Sequence, residues 1–217
     1  MNTIARLARA LTLLLYTLSV GFVLSGCSST SYQVAGNVER GRPQLIWGDP
    51  KVALASFQQA AELDPDYRYN FSILSEGVWS YVGRAYYQAG NIPEARKALE
   101  KDLSRYSDDY LAQLYLGMVS VKEGNRTPGL KDLQTALQSL NEWLDYIHKY
   151  HPEGALWDPA RALRSDIREQ LVMISAIETS LPELISRAED LGKKFEREID
   201  FVRRDKFRFE SQMENNR

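Results

Sequence analysis

A spacing of 34 residues recurs through the middle of this 217-residue chain. Four pairs of residues of matching type share this offset: Gly83 with Gly117, Gly90 with Gly124, Val82 with Leu116, and Leu99 with Leu133. Self-similarity at one fixed period indicates repeated supersecondary units, each of which buries its apolar face against its neighbours. The sequence therefore predicts a stacked architecture over this part of the chain.

The residue types at the repeated positions favour pairs of helices. A small residue at Gly83 or Ala95 lets two helices approach closely, and a large one at Trp79 fills the space beside the contact. Gly90 can end a helix in the left-handed conformation at little steric cost. Pro93 suits the first turn of the following helix, where its missing N–H is not needed.

These segments resemble the tetratricopeptide repeat. The segment WSYVGRAY, residues 79–86, follows the family pattern W-x2-L-G-x2-Y with Val82 in the Leu position, and ALASFQQAAELDP, residues 53–65, follows the second helix. The resemblance implies an all-α fold, a tetratricopeptide-type α-solenoid of two to three helix pairs over residues 34–141. The alternative is a plain helical hairpin bundle with chance glycines.

The repeats depart from the family pattern in three places. The first helix, around residues 34–47, is expected to be interrupted by Pro43. About eight residues are inserted around residues 67–71, before Trp79. The third unit lacks an aromatic residue at Ser120 and has Gly129 where the family has Ala.

Residues 142–217 are predicted to form long amphipathic helices. A stripe from Leu130 to Ile147 extends one helix to about Tyr150, and the segment 151–154 breaks it. Asp158 and Pro159 are predicted to start the next helix, as N-cap and first helical residue. A capping box at residues 180–183 opens the last one, whose apolar positions 181, 188, 195, 202 and 209 are seven apart and whose other faces carry charges that include Glu196.

The last helix has two interpretations. It can pack along the repeats as a cap, or its distal part, residues 201–209, can project and bind a partner, a second copy or anionic lipid. The distal part combines aromatic with basic residues: Phe201, Phe207 and Phe209 among Arg203, Arg204, Lys206 and Arg208.

The N-terminus carries an export signal. Arg6 and Arg9 precede an apolar run that is shorter than the roughly 20 residues a membrane-spanning helix needs. The run ends in Leu24-Ser25-Gly26-Cys27, which resembles a bacterial lipobox. The alternative is a short transmembrane anchor with an incidental cysteine.

The lipobox resemblance implies a lipid-anchored protein. Residues 1–26 are then a signal peptide, Cys27 carries a covalent lipid, and residues 27–33 form the lipidated cysteine and a polar tether. Ser28 is not the Asp that typically retains lipoproteins in the inner membrane. By analogy, the protein faces the periplasm from the outer membrane of a Gram-negative bacterium.

Composition and motifs argue against several functions. Loss of the signal leaves 25 basic and 29 acidic residues, which is not a nucleic-acid-binding balance. Gly-rich phosphate loops and hydrolase elbows are missing from the sequence. His148 and His151 can bind a metal only weakly, and turn carboxylates such as Asp109 are explained by capping. We expect no catalytic residue, no metal and no cofactor beyond the lipid on Cys27.

The sequence favours a non-catalytic adaptor in an envelope assembly or secretion complex, which the family resemblance implies. Carrying the family positions onto this chain gives a partner-binding groove: Ser80, Arg84, Tyr87, Gln88, Leu114, Met118, Val121 and Lys122. Arg84 and Lys122 are expected to pair with partner carboxylates. Partners would be envelope proteins, held by the groove or the C-terminal helix, with the membrane reached through the anchor; the oligomeric state is left open.

Two alternatives stay open from the sequence. The C-terminal helices can fill the groove from within the same chain, because Leu114 and Val121 are apolar. The protein can instead bind a glycan or peptidoglycan through exposed tryptophans, for which the candidates are Trp47, Trp79, Trp143 and Trp157.

Overall fold

Helices follow one another along almost the whole described chain, which in this computed structural model comprises residues 30–176 and 180–215. The eight α-helices within those residues are α1 (30–47), α2 (Pro50–Leu63), α3 (Val78–Gln88), α4 (Ile92–Leu103), α5 (Tyr110–Lys122), α6 (Arg126–Tyr150), α7 (Ala162–Ser175) and α8 (Leu181–Asn215). A β-hairpin, β1 (Arg68–Phe71) and β2 (Leu74–Gly77), precedes α3. The chain is mostly helical, as the all-α prediction requires.

The capping residues and glycines predicted from the sequence lie at the ends of helices. Asp49 caps α2 by accepting a hydrogen bond from the N–H of Lys51, and Pro50 occupies the first turn. Gly90 and Gly124 end α3 and α5 with φ angles of +79° and +86°. Both glycines therefore adopt the left-handed conformation that the repeat pattern predicted.

Glycines also set the distance between paired helices. A Cβ built on Gly83 would lie 2.6 Å from Cγ of Leu99, so α3 lies directly against α4. A Cβ on Gly117 would lie 2.8 Å from Cα of Leu133, so α5 lies equally close to α6. The two helix pairs therefore pack at the positions that recur at 34 residues.

The first helix differs from the prediction. It runs through Pro43 without interruption, and residues 30–33, assigned to the tether, already belong to it. The buried side chains of Val34, Val38 and Leu45 lie on both sides of the proline. Their packing offsets the roughly 3 kcal/mol that an interior proline costs a helix.

The predicted insertion forms the hairpin. Residues 68–71 pair antiparallel with 74–77, with Arg68 opposite Gly77 and Phe71 opposite Leu74. Tyr69 and Leu74 are buried, so the hairpin contributes to the core. It leads directly into α3, because Gly77 is both the last residue of β2 and the N-cap of the helix.

The C-terminal helices begin and end largely as predicted. α6 is followed by a short 3-10 helix, Pro152–Leu156. His151 caps this helix, because its Nδ1 accepts a hydrogen bond from the N–H of Glu153. The predicted start at Asp158 and Pro159 is wrong, since α7 begins at Ala162. Asp158 still caps α7 from a distance, because its carboxylate accepts the N–H groups of Leu163 and Arg164.

The last helix packs against the rest of the protein over most of its length. Leu184, Ala188, Leu191, Phe195, Ile199 and Val202 form its completely buried stripe. This is the first of the two predicted arrangements, at least as far as Val202. Within residues 30–176 and 180–215, no helix is long and apolar enough to cross a membrane.

Candidate functional site

The predicted groove residues do come together, on one side of α3 and α5. We call this side the inner surface and define it by Ser80, Arg84, Tyr87, Leu114 and Met118. None of the five side chains is more than 2% exposed. The prediction of an open partner groove is therefore wrong for this structure, and the alternative, that a C-terminal helix fills it, describes what is seen.

Glu196 of α8 is the central contact with the inner surface. One of its carboxylate oxygens lies 2.6 Å from Nη1 of Arg84 on α3, and the other lies 2.9 Å from Nε of Arg42 on α1. Arg42 also donates to the backbone carbonyl of Glu196 at 3.2 Å. All three side chains are almost completely buried, so one carboxylate joins three helices in the interior.

The charge on Glu196 is held by its two arginines. Burial by itself raises the pKa of this carboxyl group, but the guanidinium groups of Arg84 and Arg42 outweigh burial and lower the pKa below its ordinary value. Glu196 is therefore ionised at neutral pH.

A second buried carboxyl group completes the network. Glu76 of β2 lies 3.1 Å from Nη2 of Arg84, without the angle of a hydrogen bond, and it accepts a hydrogen bond from the hydroxyl of Tyr81. Burial raises the pKa of Glu76 to about 8 although Arg84 opposes the change. Glu76 is therefore largely protonated at neutral pH, and the ionised partner of Arg84 is Glu196.

The edge of the inner surface is also closed by α8. Glu189 accepts a hydrogen bond from the Tyr87 hydroxyl at 2.7 Å. It also forms an ion pair with Lys122, whose Nζ lies 3.0 Å away. Lys122 lies over the ring of Tyr87, 4.3 Å from its centroid, while Gln88 is half-buried beside them. Arg84 and Lys122 were expected to pair with carboxylates of a partner protein, but here they pair with carboxylates of the same chain.

Two aspartates fix the junction between the hairpin, α3 and α5. Asp109 caps α5 through the N–H of Ala112 and accepts the N–H of Gly77, each at 2.8 Å. Asp102 accepts the N–H of Ser80 at 3.0 Å. Burial, and for Asp109 the neighbouring Asp102, raises the pKa values to about 6 for Asp102 and about 7 for Asp109. These carboxyl groups join the hairpin to the start of α3 and of α5.

The tryptophans do not form a shared exposed face. Trp157 is 0% and Trp143 is 8% exposed, and their rings stack edge to face at 5.2 Å. Trp79 donates its Nε1–H to the carbonyl of Pro65 and is covered by Lys101, whereas Trp47 is exposed. The glycan hypothesis therefore loses Trp143 and Trp157 as binding residues.

Other predicted sites fare differently. His148 is exposed and His151 caps the 3-10 helix; in the described part of the chain, no group of three or more His, Cys, Asp or Glu side chains is arranged to hold a metal. Cys27 lies outside the described residues.

The sequence interpretation missed Glu196 and its partners. It placed Glu196 on a charged outer face of α8, whereas this side chain is 2% exposed. A usable signal was present, because Gly192 lies one turn before Glu196 and packs against Tyr115, which extends the buried face toward Glu196. Arg42 and Glu76 gave no comparable signal.

No family model matches this chain, and no curated protein matches it either. The function is therefore inferred from the sequence motifs and from the geometry above.

Proposed function

We propose that this protein is a non-catalytic, lipid-anchored adaptor in the envelope of a Gram-negative bacterium, built on tetratricopeptide-type helix pairs. One observation carries the proposal: an amphipathic helix occupies the inner surface of α3 and α5. Family members hold helical or extended segments on the equivalent surface. Here the ligand is supplied in cis, by α8.

The helix pairs support the repeat interpretation. α3 with α4 and α5 with α6 pack through Gly83 and Gly117, at the separation that defines the repeat. α1 and α2 make a further pair at the N-terminal side, where a Cβ on Gly41 would collide with the ring of Phe57. Three stacked pairs with α8 laid across them form a rigid body that is suited to holding other proteins.

The filled inner surface implies that partners bind elsewhere. The buried ion pairs of Glu196 make α8 costly to displace, because displacement would leave Arg42 and Arg84 without their carboxylate. Partner proteins therefore bind outward surfaces such as the exposed sides of α4 and α7, while Cys27 holds the protein at the outer membrane.

In-cell photo-crosslinking tests this function. A photoreactive residue is placed at Lys97 on α4, Val172 on α7 or Lys122 at the edge of the inner surface; the first two side chains are about 70% exposed. We expect adducts with other envelope proteins from Lys97 or Val172, and adducts within the chain from Lys122. Complete lack of intermolecular adducts from all three would contradict an adaptor function.

The anchor is tested separately in the same cells. Mass spectrometry of the purified protein should show cleavage before Cys27 and acyl chains on that residue. A Cys27→Ala variant should leave the outer-membrane fraction. Recovery of an uncleaved chain with a free thiol would refute the anchor but leave the crosslinking result interpretable.

A further inference from the structure

A row of aromatic and basic side chains lies on the outward face of α8, beside the end of α1. We call it the aromatic-basic stripe and define it by Trp47, Arg197, Phe201, Arg204, Phe207 and Arg208. Its three rings are well exposed, at 70% for Trp47, 50% for Phe201 and 71% for Phe207. The Arg197 guanidinium lies 5.1 Å from the centre of the Trp47 ring, and that of Arg204 lies 4.7 Å from the centre of Phe201.

The direction of α8 brings this stripe toward the N-terminus. Arg197 contacts Trp47, Asp200 contacts Arg42, and Arg203 contacts Glu39, so residue numbers on α8 rise as those on α1 fall. The two helices are therefore antiparallel. The end of α8 is about 18 Å beyond Arg203, and residue 30 is about 14 Å beyond Glu39 in the same direction.

The proposed lipidation site is close to that end of the molecule. Cys27 precedes residue 30 by three residues, which span at most about 10 Å. The stripe thus runs along the side of the protein toward the end that the lipid anchor holds against the bilayer.

A cleft of about 670 Å³ borders the stripe between Trp47 and Phe201. Its floor includes the apolar side chains of Leu156 and Leu163. Two of its acidic groups are already engaged, since Asp158 pairs with Arg164 and Glu198 accepts the N–H of Asp158.

We propose that the aromatic-basic stripe is a second membrane contact, which binds the surface of an anionic phospholipid bilayer next to the acyl anchor. The inference rests on the proposed lipid anchor. Aromatic rings favour the depth of the headgroups, and arginine pairs with lipid phosphates in two hydrogen bonds. The cleft beside Trp47 gives room for part of an acyl chain.

The arrangement fits a membrane better than a protein partner. Aromatic residues and arginine are also enriched in protein interfaces. The choice of a membrane therefore rests on the position of the stripe beside the proposed anchor and on the fit of arginine to lipid phosphates. Asp200 pairs with Arg42 outside the stripe, whereas Asp205 lies 3.8 Å from Arg208 and offsets part of the positive charge of the stripe. The stripe alone binds weakly, and the anchor makes the contact effective by raising its local concentration.

The consequence is a fixed orientation. The anchor alone lets the protein rotate on the membrane, whereas a second contact along α8 holds that side down.

The test uses the full lipidated protein, with an environment-sensitive fluorophore on a cysteine at position 207 (Phe207→Cys). Because the native Cys27 is acylated, labelling is specific. Tyr146→Cys on α6 is the matched control, since Tyr146 is also a largely exposed aromatic outside the stripe. Each protein is placed in phosphatidylcholine vesicles with or without phosphatidylglycerol, and quenching by brominated acyl chains is measured.

We expect quenching at position 207 to exceed that at position 146 by at least about threefold in anionic vesicles. The difference should fall in neutral vesicles and in Arg204→Gln/Arg208→Gln, and should be retained in Arg204→Lys/Arg208→Lys. Equal quenching at the two positions, in protein that floats with the vesicles, would overturn the proposal.

Two further outcomes separate the causes of failure. Protein that does not float with vesicles lacks the anchor, which contradicts the proposed function rather than the stripe alone. Shielding of the label at position 207 without vesicles, rising with protein concentration, would identify a second copy as the occupant and would also overturn the proposal.

Discussion

Glu196 is a charged residue that behaves as part of the core. Its carboxylate lies between the guanidinium groups of Arg42 and Arg84, with contacts of 2.9 and 2.6 Å. Glu196 contributes to stability because it neutralises these two buried arginines. Removing it leaves two buried cations, while removing an ion pair at the edge leaves cations that water can solvate.

Glu196→Ala is therefore expected to lower the free energy of unfolding by about 3–5 kcal/mol. Asp205→Ala, which breaks an exposed pair with Arg208, is the matched control on the same helix and should cost less than about 1 kcal/mol. Urea unfolding measures both. Similar small losses for the two variants would show that Glu196 is solvated in solution.

The buried aspartates predict how stability depends on pH. The folded-state pKa values of Asp102 and Asp109 are raised to about 6 and about 7, above their values in the unfolded chain. Glu76, whose pKa is raised to about 8, acts in the same direction. The folded state therefore binds more protons between about pH 4 and 8, and the stability from these groups is lost as pH rises through the folded-state values. Glu196 acts in the opposite direction, but its own loss occurs at more acidic pH.

We expect the free energy of unfolding in urea to be higher at about pH 5.5 than at about pH 8.5, by a few kcal/mol. Asp102→Asn resembles the protonated residue and should reduce this dependence, with Asp66→Asn at an exposed turn as the control. A midpoint that rises with pH in the wild type would contradict the assignment.

At the scale of elements, paired helices touch where the sequence has glycine. A Cβ on Gly117 would lie 2.8 Å from Cα of Leu133 and 2.9 Å from its backbone N, so no side chain can rotate away. Gly36, in contrast, lies on the exposed side of α1 with nothing within 4 Å of a built Cβ. Substitution of Gly117 therefore tests helix packing, and substitution of Gly36 tests helix propensity.

Gly117→Ala should therefore destabilise the protein by about 1–3 kcal/mol through overpacking. Gly36→Ala should stabilise it by up to about 1 kcal/mol, because alanine loses less backbone entropy in a helix. Thermal unfolding compares the two. A neutral Gly117→Ala would mean that α5 and α6 are not in backbone contact.

The sequence predicted these helices well where the signal depends only on neighbouring residues. Asp49, Gly90 and Gly124 mark helix ends by their own chemistry, and the stripe from Leu130 to Ile147 predicted α6. The predicted interruption at Pro43 was wrong, because the packing of residues on both sides of the proline outweighs the energetic cost of a proline inside a helix. The partners of Glu196 could not be identified from the sequence, because Arg42 is 154 positions away in the chain.

At the scale of the whole molecule, the last helix, α8, packs against helices from earlier in the chain. α8 contacts α1 through Arg42 and Glu39, and α3 and α5 through Arg84 and Lys122. The predicted binding surface is thereby turned into an internal interface. The adaptor function proposed above would then use the outward surfaces of the protein.

Hydrogen exchange of the purified lipidated protein tests the filled inner surface most directly. The amides from Glu189 to Val202 in α8 should exchange as slowly as those of α3 and α5, because docked elements open together. Val172 on the exposed side of α7 provides a reference for a helix with fewer covered contacts. Fast exchange between Glu189 and Val202, with α3 and α5 still protected, would show that α8 leaves the inner surface open.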